Sequence, residues 1–196
     1  MIRYLLCIII CAIIWIVNGK CIAHGIRERV ASEIYMHTGL GIFFSILTLE
    51  LSLGRFEIWT QLDLSLLRTI GFLLYIPSAY LVVASMHALK HRGKAEKADF
   101  TATTTFLDSG IYGLVRQPMT LGVAIWSVAL VLVFQSLLSL ILGVSAILCF
   151  WMSARKEVEF NVRKYGERYR EYVQRVPMWN FIKGWRRRSE TPRRPE

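Results

Sequence analysis

Residues 119–152 read MTLGVAIWSVALVLVFQSLLSLILGVSAILCFWM, two apolar runs, 119–134 and 137–152, parted only by Gln135 and Ser136. A helix needs about 20 mostly apolar residues to cross a bilayer. So short a connection makes the two runs an antiparallel hairpin, which returns the chain to the face where it entered. Each run is at the short end for spanning, so flanking residues complete the crossing or the bilayer thins locally.

Three further runs precede the hairpin, at 4–17 (extending toward Ala23), 34–53 and 64–86. The expected fold is therefore all-α, a polytopic transmembrane helix bundle of about five spans. Composition agrees: the chain has 196 residues, 54% of them hydrophobic and only 19% charged, with a mean hydropathy of +0.41. Soluble domains of this length seldom run so apolar. The first run, after Met1 and Arg3, has a rival reading as a signal peptide, but it lacks a clear small-residue cleavage site. Pro77 sits mid-span and is expected to kink the third helix. Glu50 has two readings, facing a polar cavity or reaching the interface, and the second is the expected one, since only Leu51–Leu53 follow it in the second run.

The formal net charge is +10. Its distribution points to a membrane surface and away from nucleic acid. With the N-terminus outside, segments 18–33, 87–118 and 153–196 lie inside, and only Arg3, Arg55 and Arg68 are left for the other side. Basic residues favour the cytoplasmic side, so the C-terminus is expected there, in a cell inner membrane or the endoplasmic reticulum.

Residues 154–176 differ in kind. Val158, Val162, Tyr165, Tyr169, Tyr172, Val173 and Val176 recur at helical spacing among many Lys and Arg. They read as a cytoplasmic amphipathic helix lying on the membrane or capping the bundle. Gly166 marks a bend and Pro177 an end. Beyond Trp185 the basic sequence reads as a disordered tail. The expected units are 1–98 (spans one to three with a loop), 99–185 (hairpin, cofactor region and amphipathic helix) and 186–196 (tail). The cysteines form no CxxC pair and have no His at ligand spacing, so no metal site is expected.

Three pieces then share one face: TTTFLDSGIY at 103–112, RQPMTLG at 116–122 and the helix from Arg155 onward. The hairpin lets Gln117 and Glu157 approach. Gln117 supplies an amide, Pro118 begins a helix whose first N–H groups can bind a carboxylate, and Glu157 or Glu159 can accept from an ammonium group. Phe106, Leu107 and Tyr112 can pack against an aromatic base. Singly, each residue also has an ordinary structural reading.

SGIYGLVRQPMTLG resembles the signature of the isoprenylcysteine carboxyl methyltransferases and their phospholipid methyltransferase relatives, whose usual form is GxYxxxRHPxYxG. The tail is similar in order: Glu157, then Tyr165-Gly166-Glu167-Arg168-Tyr169, Tyr172 and Val176-Pro177. The resemblance covers roughly 100–185. It implies an integral membrane enzyme that uses S-adenosylmethionine on a lipophilic or prenylated substrate among membrane lipids. Carried over by position, it implies cofactor contacts at Thr104, Thr105, Phe106, Leu107, Tyr112, Gln117, Pro118, Met119, Thr120 and Glu157; Arg155 and Glu157 are the residues expected to be catalytic. The chain departs from the pattern at Gln117, where the family has His, and at Thr120, where it has an aromatic residue. Ser153 stands where the family has a substrate-side Arg, and Arg155, about 200° round the helix, faces elsewhere. A carboxylate acceptor would want that Arg. The competing readings are a non-catalytic membrane protein that keeps the fold, a reductase of related architecture, and, more remotely, a transporter.

Overall fold

The computed structural model describes residues 2–54, 59–93 and 106–190. The apolar runs fold as helices because a backbone in hydrocarbon must satisfy its hydrogen bonds within its own segment. Helices α1 (Ile2–Arg27), α2 (Ala31–Ser52), α3 (Ser65–Arg92), α4 (Pro118–Phe134) and α5 (Leu137–Tyr165) make the bundle. Four of them are long and apolar enough to cross a membrane, and α4, at 17 residues, is a shorter apolar helix beside them. The chain is an integral membrane protein.

The hairpin turn forms where expected. Gln135 takes the left-handed conformation (φ 53°) and Ser136 caps α5 by accepting from the Ser139 N–H. The Gln135 amide also holds both backbone groups of Leu64, at 2.9 and 3.0 Å, so the turn is tied to the start of α3. Glu50 overturns its interface reading. It is 1% exposed and accepts from Trp59 Nε1 at 3.1 Å, from Gln61 Nε2 at 2.8 Å and from the Ser136 hydroxyl. A buried carboxylate needs such donors, and here they come from the loop before α3 and from the hairpin turn.

Helix α3 lies against α4, and α2 against α5. Small residues permit this, as in most membrane bundles, where oil-like lipid gives apolar surfaces little drive to associate. A Cβ on Gly122 would come within 2.8 Å of Val82 and one on Gly71 within 2.8 Å of Val133. Ser78 adds a hydrogen bond across this interface, to the Gly122 carbonyl at 2.8 Å. Phe43, Ile46, Val123, Ala124, Leu130, Ala146 and Phe150 fill the centre. The outer faces of α1 and α3 stay exposed and apolar, as lipid-facing surfaces do.

The separate amphipathic helix expected at 154–176 does not exist as one piece. Helix α5 runs unbroken to Tyr165, and α6 (Glu167–Arg175) follows after Gly166. Its 29 residues span about 43 Å at 1.5 Å each, well beyond a hydrocarbon layer of about 30 Å. The charged end of α5, from Arg155, therefore projects out of the membrane. Gly166 has φ +63°, ψ −139°, a conformation open essentially to glycine alone. A last helix, α7 (Phe181–Glu190), carries residues 186–190, expected as tail, as helix.

Candidate functional site

The site lies where α3 ends, α4 begins and α5 leaves the membrane. Pro118 stands at the first position of α4, where its missing N–H is no loss. The first intrahelical bond of α4 runs from Leu121 N to Gln117 O at 3.1 Å, so the N–H groups of Met119 and Thr120 precede the ladder and form a positively polarised helix start. Just upstream, a 3-10 turn at Gly110–Gly113 presents Tyr112.

Helix α6 folds back over this entrance. Tyr172 is fully buried and its hydroxyl donates to the Tyr112 carbonyl at 2.6 Å. The Arg116 N–H donates to the Pro177 carbonyl at 3.0 Å. Trp179 Nε1 donates to Thr120 Oγ1 at 3.1 Å, and that hydroxyl donates to the Gln117 carbonyl at 3.1 Å. Helix α7 is pressed on the same strand of chain, with no room for a Cβ between Gly184 and the Leu114 backbone.

Glu157 is the charged centre of this region. Loss of water pushes its carboxyl up to about 7, with the facing Gln117 and Asn161 side chains pulling the other way. Asn161 lies one turn further along the same helix face and donates to the Tyr169 hydroxyl at 3.3 Å. Burial, and then Glu157, also raises the Tyr112 phenol far above its ordinary value and the Tyr169 phenol to about 12. Tyr172 is raised by burial and by its two tyrosine neighbours. All three phenols keep their protons near neutral pH; Tyr172 uses its proton to donate to the Tyr112 carbonyl, while the Tyr169 hydroxyl accepts from Asn161.

Two buried donors here have no hydrogen-bond partner, Arg116 Nε and Gln117 Nε2. Gln117 is 4% exposed. Leaving such groups unpaired costs about 1–3 kcal/mol each, which a fold tolerates where a ligand is to be held.

The expected site residues separate accordingly. Tyr112, Gln117, Pro118, Thr120 and Glu157 come together; Met119 sits half-buried in the first turn of α4. Phe106 joins an aromatic cluster, with ring centroids 4.9 Å from Tyr172, 5.3 Å from Tyr169 and 5.8 Å from Tyr165. Arg168 covers its face at 5.5 Å, so Phe106 fastens α6 over the site more than it offers a free wall. Leu107 is half-buried beside it. Thr104 and Thr105 lie outside the described residues. Arg155 does not join the others: it is exposed and stacks over Trp151 at 4.8 Å. Ser153 is buried and donates to the Ser32 carbonyl at 2.8 Å, a tie between α5 and α2. The residues that sequence reasoning missed are Arg116, Asn161 and Ser85, which Tyr112 meets from α3. Arg116 stood in the quoted motif, and Asn161 was signalled by its spacing of four from Glu157.

A family model described as phospholipid methyltransferase matches residues 66–168. That match takes in α3, α4, α5 and every element that carries the unpaired donors and Glu157. The chain belongs to the phospholipid methyltransferase family. Tyr172 and Trp179, which bond to the Tyr112 carbonyl and to Thr120, lie beyond the matched residues. Among curated proteins and solved structures, nothing matches the chain.

Proposed function

We propose that this protein is an S-adenosylmethionine-dependent methyltransferase that acts on a lipophilic acceptor taken from the bilayer, with its site on the cytoplasmic side. Family membership supports methyl transfer at a membrane. The observation that carries the cofactor assignment is a pairing of opposites: Gln117, whose buried Nε2 lacks a partner, faces the half-buried, desolvated Glu157 carboxyl, and the neighbouring Arg116 Nε is likewise unpaired. A zwitterionic amino acid needs both signs of partner, so these residues fit the methionine end of the cofactor.

In this reading Gln117 donates to the cofactor's carboxylate, with the N–H groups of Met119 and Thr120 at the helix start. Glu157 accepts from its ammonium group. Tyr112 and Leu107, with Thr104 and Thr105 by resemblance, line the nucleoside side, and Phe106 holds that wall in place. When bound, S-adenosylmethionine supplies an electrophilic sulfonium methyl that a nucleophile takes by direct displacement. The protein's own work is positioning and the exclusion of water. Tyr172, Trp179 and Phe106 hold α6 and the segment after it across the entrance, which keeps the site dry on its aqueous side.

The test is to incubate the purified protein with methyl-labelled cofactor and a total lipid extract, then identify labelled products by mass spectrometry. The expected result is label in a lipid, absent with Glu157→Gln. Cofactor binding with no labelled lipid would support a non-catalytic member of the family.

A further inference from the structure

Helix α7 reads FIKGWRRRSE, four basic residues against one acid. Asn180 starts it by accepting from the Lys183 N–H at 2.9 Å. At about 100° per residue its side chains divide into three directions. Gly184 faces inward and sits on the Leu114 backbone with no room for a Cβ. Phe181, Ile182 and Trp185 share one arc of about 100°, and all three are exposed, Ile182 at 68% and Trp185 at 61%. Lys183, Arg186 and Arg187 share the remaining arc and are exposed as well. A hollow of about 320 Å³ opens on that flank, lined by Asn180, Ile182 and the three cations. So α7 packs on the protein along a narrow edge and turns an apolar face and a basic face outward, side by side.

The depth of the helix says what covers its apolar face. Trp179, just before α7, packs against the core of the bundle and bonds to Thr120 in the first turn of α4. Leu114, under Gly184, lies just before Pro118 starts that helix. Helix α7 therefore begins level with the point where α4 enters the membrane. Large apolar side chains exposed at that level meet the boundary between headgroups and acyl chains, and a helix with this division of faces lies in that boundary. Cations on its flank draw anionic headgroups, and a guanidinium fork takes phosphate oxygens two at a time. A soluble partner would have to approach through those headgroups.

We propose that α7 is an interfacial anchor, which docks Phe181, Ile182 and Trp185 into the membrane the bundle already spans and holds anionic headgroups with Lys183 and Arg186. Arg187 has another duty. Its Nη1 donates to the Gln174 and Arg175 carbonyls at 2.9 and 2.8 Å, which ties the docked helix to the end of α6. The lipid acts here as a surface and not as an acceptor, so the inference stands whether or not the chain transfers methyl groups.

Hydrogen exchange of the full chain in nanodiscs, one chain per disc, tests this in discs of phosphatidylcholine alone and in discs where phosphatidylglycerol replaces part of it. The amides of 181–187 should exchange more slowly in the anionic discs, by about fivefold for each cation engaged, while those of α2 exchange alike in both. Lys183→Gln combined with Arg186→Gln should abolish the difference, and Ile182→Ser should speed exchange of α7 in both kinds of disc. The substituted side chains are exposed, and α2 exchange checks that the variants keep the fold. Equal exchange of α7 in the two discs would overturn the inference. So would a difference that survives in the doubly substituted chain, or protection that needs two chains in a disc, which would make a second copy the occupant.

Discussion

Glu157 sits where loss of water makes a carboxylate expensive, and the facing Gln117 and Asn161 side chains offset that only in part. Its carboxyl is raised from 4.5 to about 7 by burial. A group raised in the fold favours the folded state while it is protonated and loses that advantage as pH rises through its folded value. The ligand-free protein should therefore lose thermal stability between pH 4.5 and about 7 relative to Glu157→Gln, which lacks this titration. With the cofactor's ammonium in place the sign reverses: the stabilisation given by S-adenosylmethionine should grow as pH rises through about 7 in the parent protein and stay flat in the variant. Scanning fluorimetry across that range, with and without cofactor, reads both slopes. Glu50 is the structural counterpart. Three donors hold it at the opposite end of the bundle. Glu50→Ala leaves the buried Ser136 hydroxyl without its acceptor, while half-buried Trp59 and exposed Gln61 can turn to water, and should cost about 1–3 kcal/mol in denaturant unfolding, with cofactor affinity in the surviving fold unchanged. Little of this was legible in the chain. Glu50 is an isolated acid in an apolar run, and its partners Trp59, Gln61 and Ser136 are remote in sequence. Glu157 was legible only because the hairpin places it beside Gln117.

At the scale of elements, Gly166 decides whether α6 closes the site. Arg, Lys and Glu are good helix formers, so nothing between Arg155 and Tyr165 stops α5. The change from apolar to charged composition reads as a boundary in the sequence but is only the point where one continuous helix leaves the membrane. The real break is the glycine-only conformation at residue 166. Gly166→Ala should cost about 1–3 kcal/mol and loosen the bond from Tyr172 to the Tyr112 carbonyl, with faster limited proteolysis in α6 as the readout. The hairpin, by contrast, was plain from Gln135 and Ser136, because a two-residue polar interruption between apolar helices leaves little choice of topology. The tyrosines of α6 were visible as an apolar stripe, but their partner Phe106 was not, since contacts across 60 residues leave no local pattern. What α7 packs on, the Leu114 backbone at Gly184, was equally hidden.

Over the whole molecule, the contacts between the turn at Gly110–Gly113 and α6 require both to lie on one side of the bilayer. Reporter tags inserted before Phe106 and after the C-terminus should report the same compartment; opposite compartments would contradict the fold. The central claim is narrower, that the start of α4 and the emerging end of α5 form a cofactor cradle. Isothermal titration of the detergent-purified protein with S-adenosylmethionine tests it most directly. The account predicts binding at one site, weakened at least about tenfold by Glu157→Gln and unaffected by Arg155→Gln. No binding to the parent protein, or equal binding to Glu157→Gln, would contradict it.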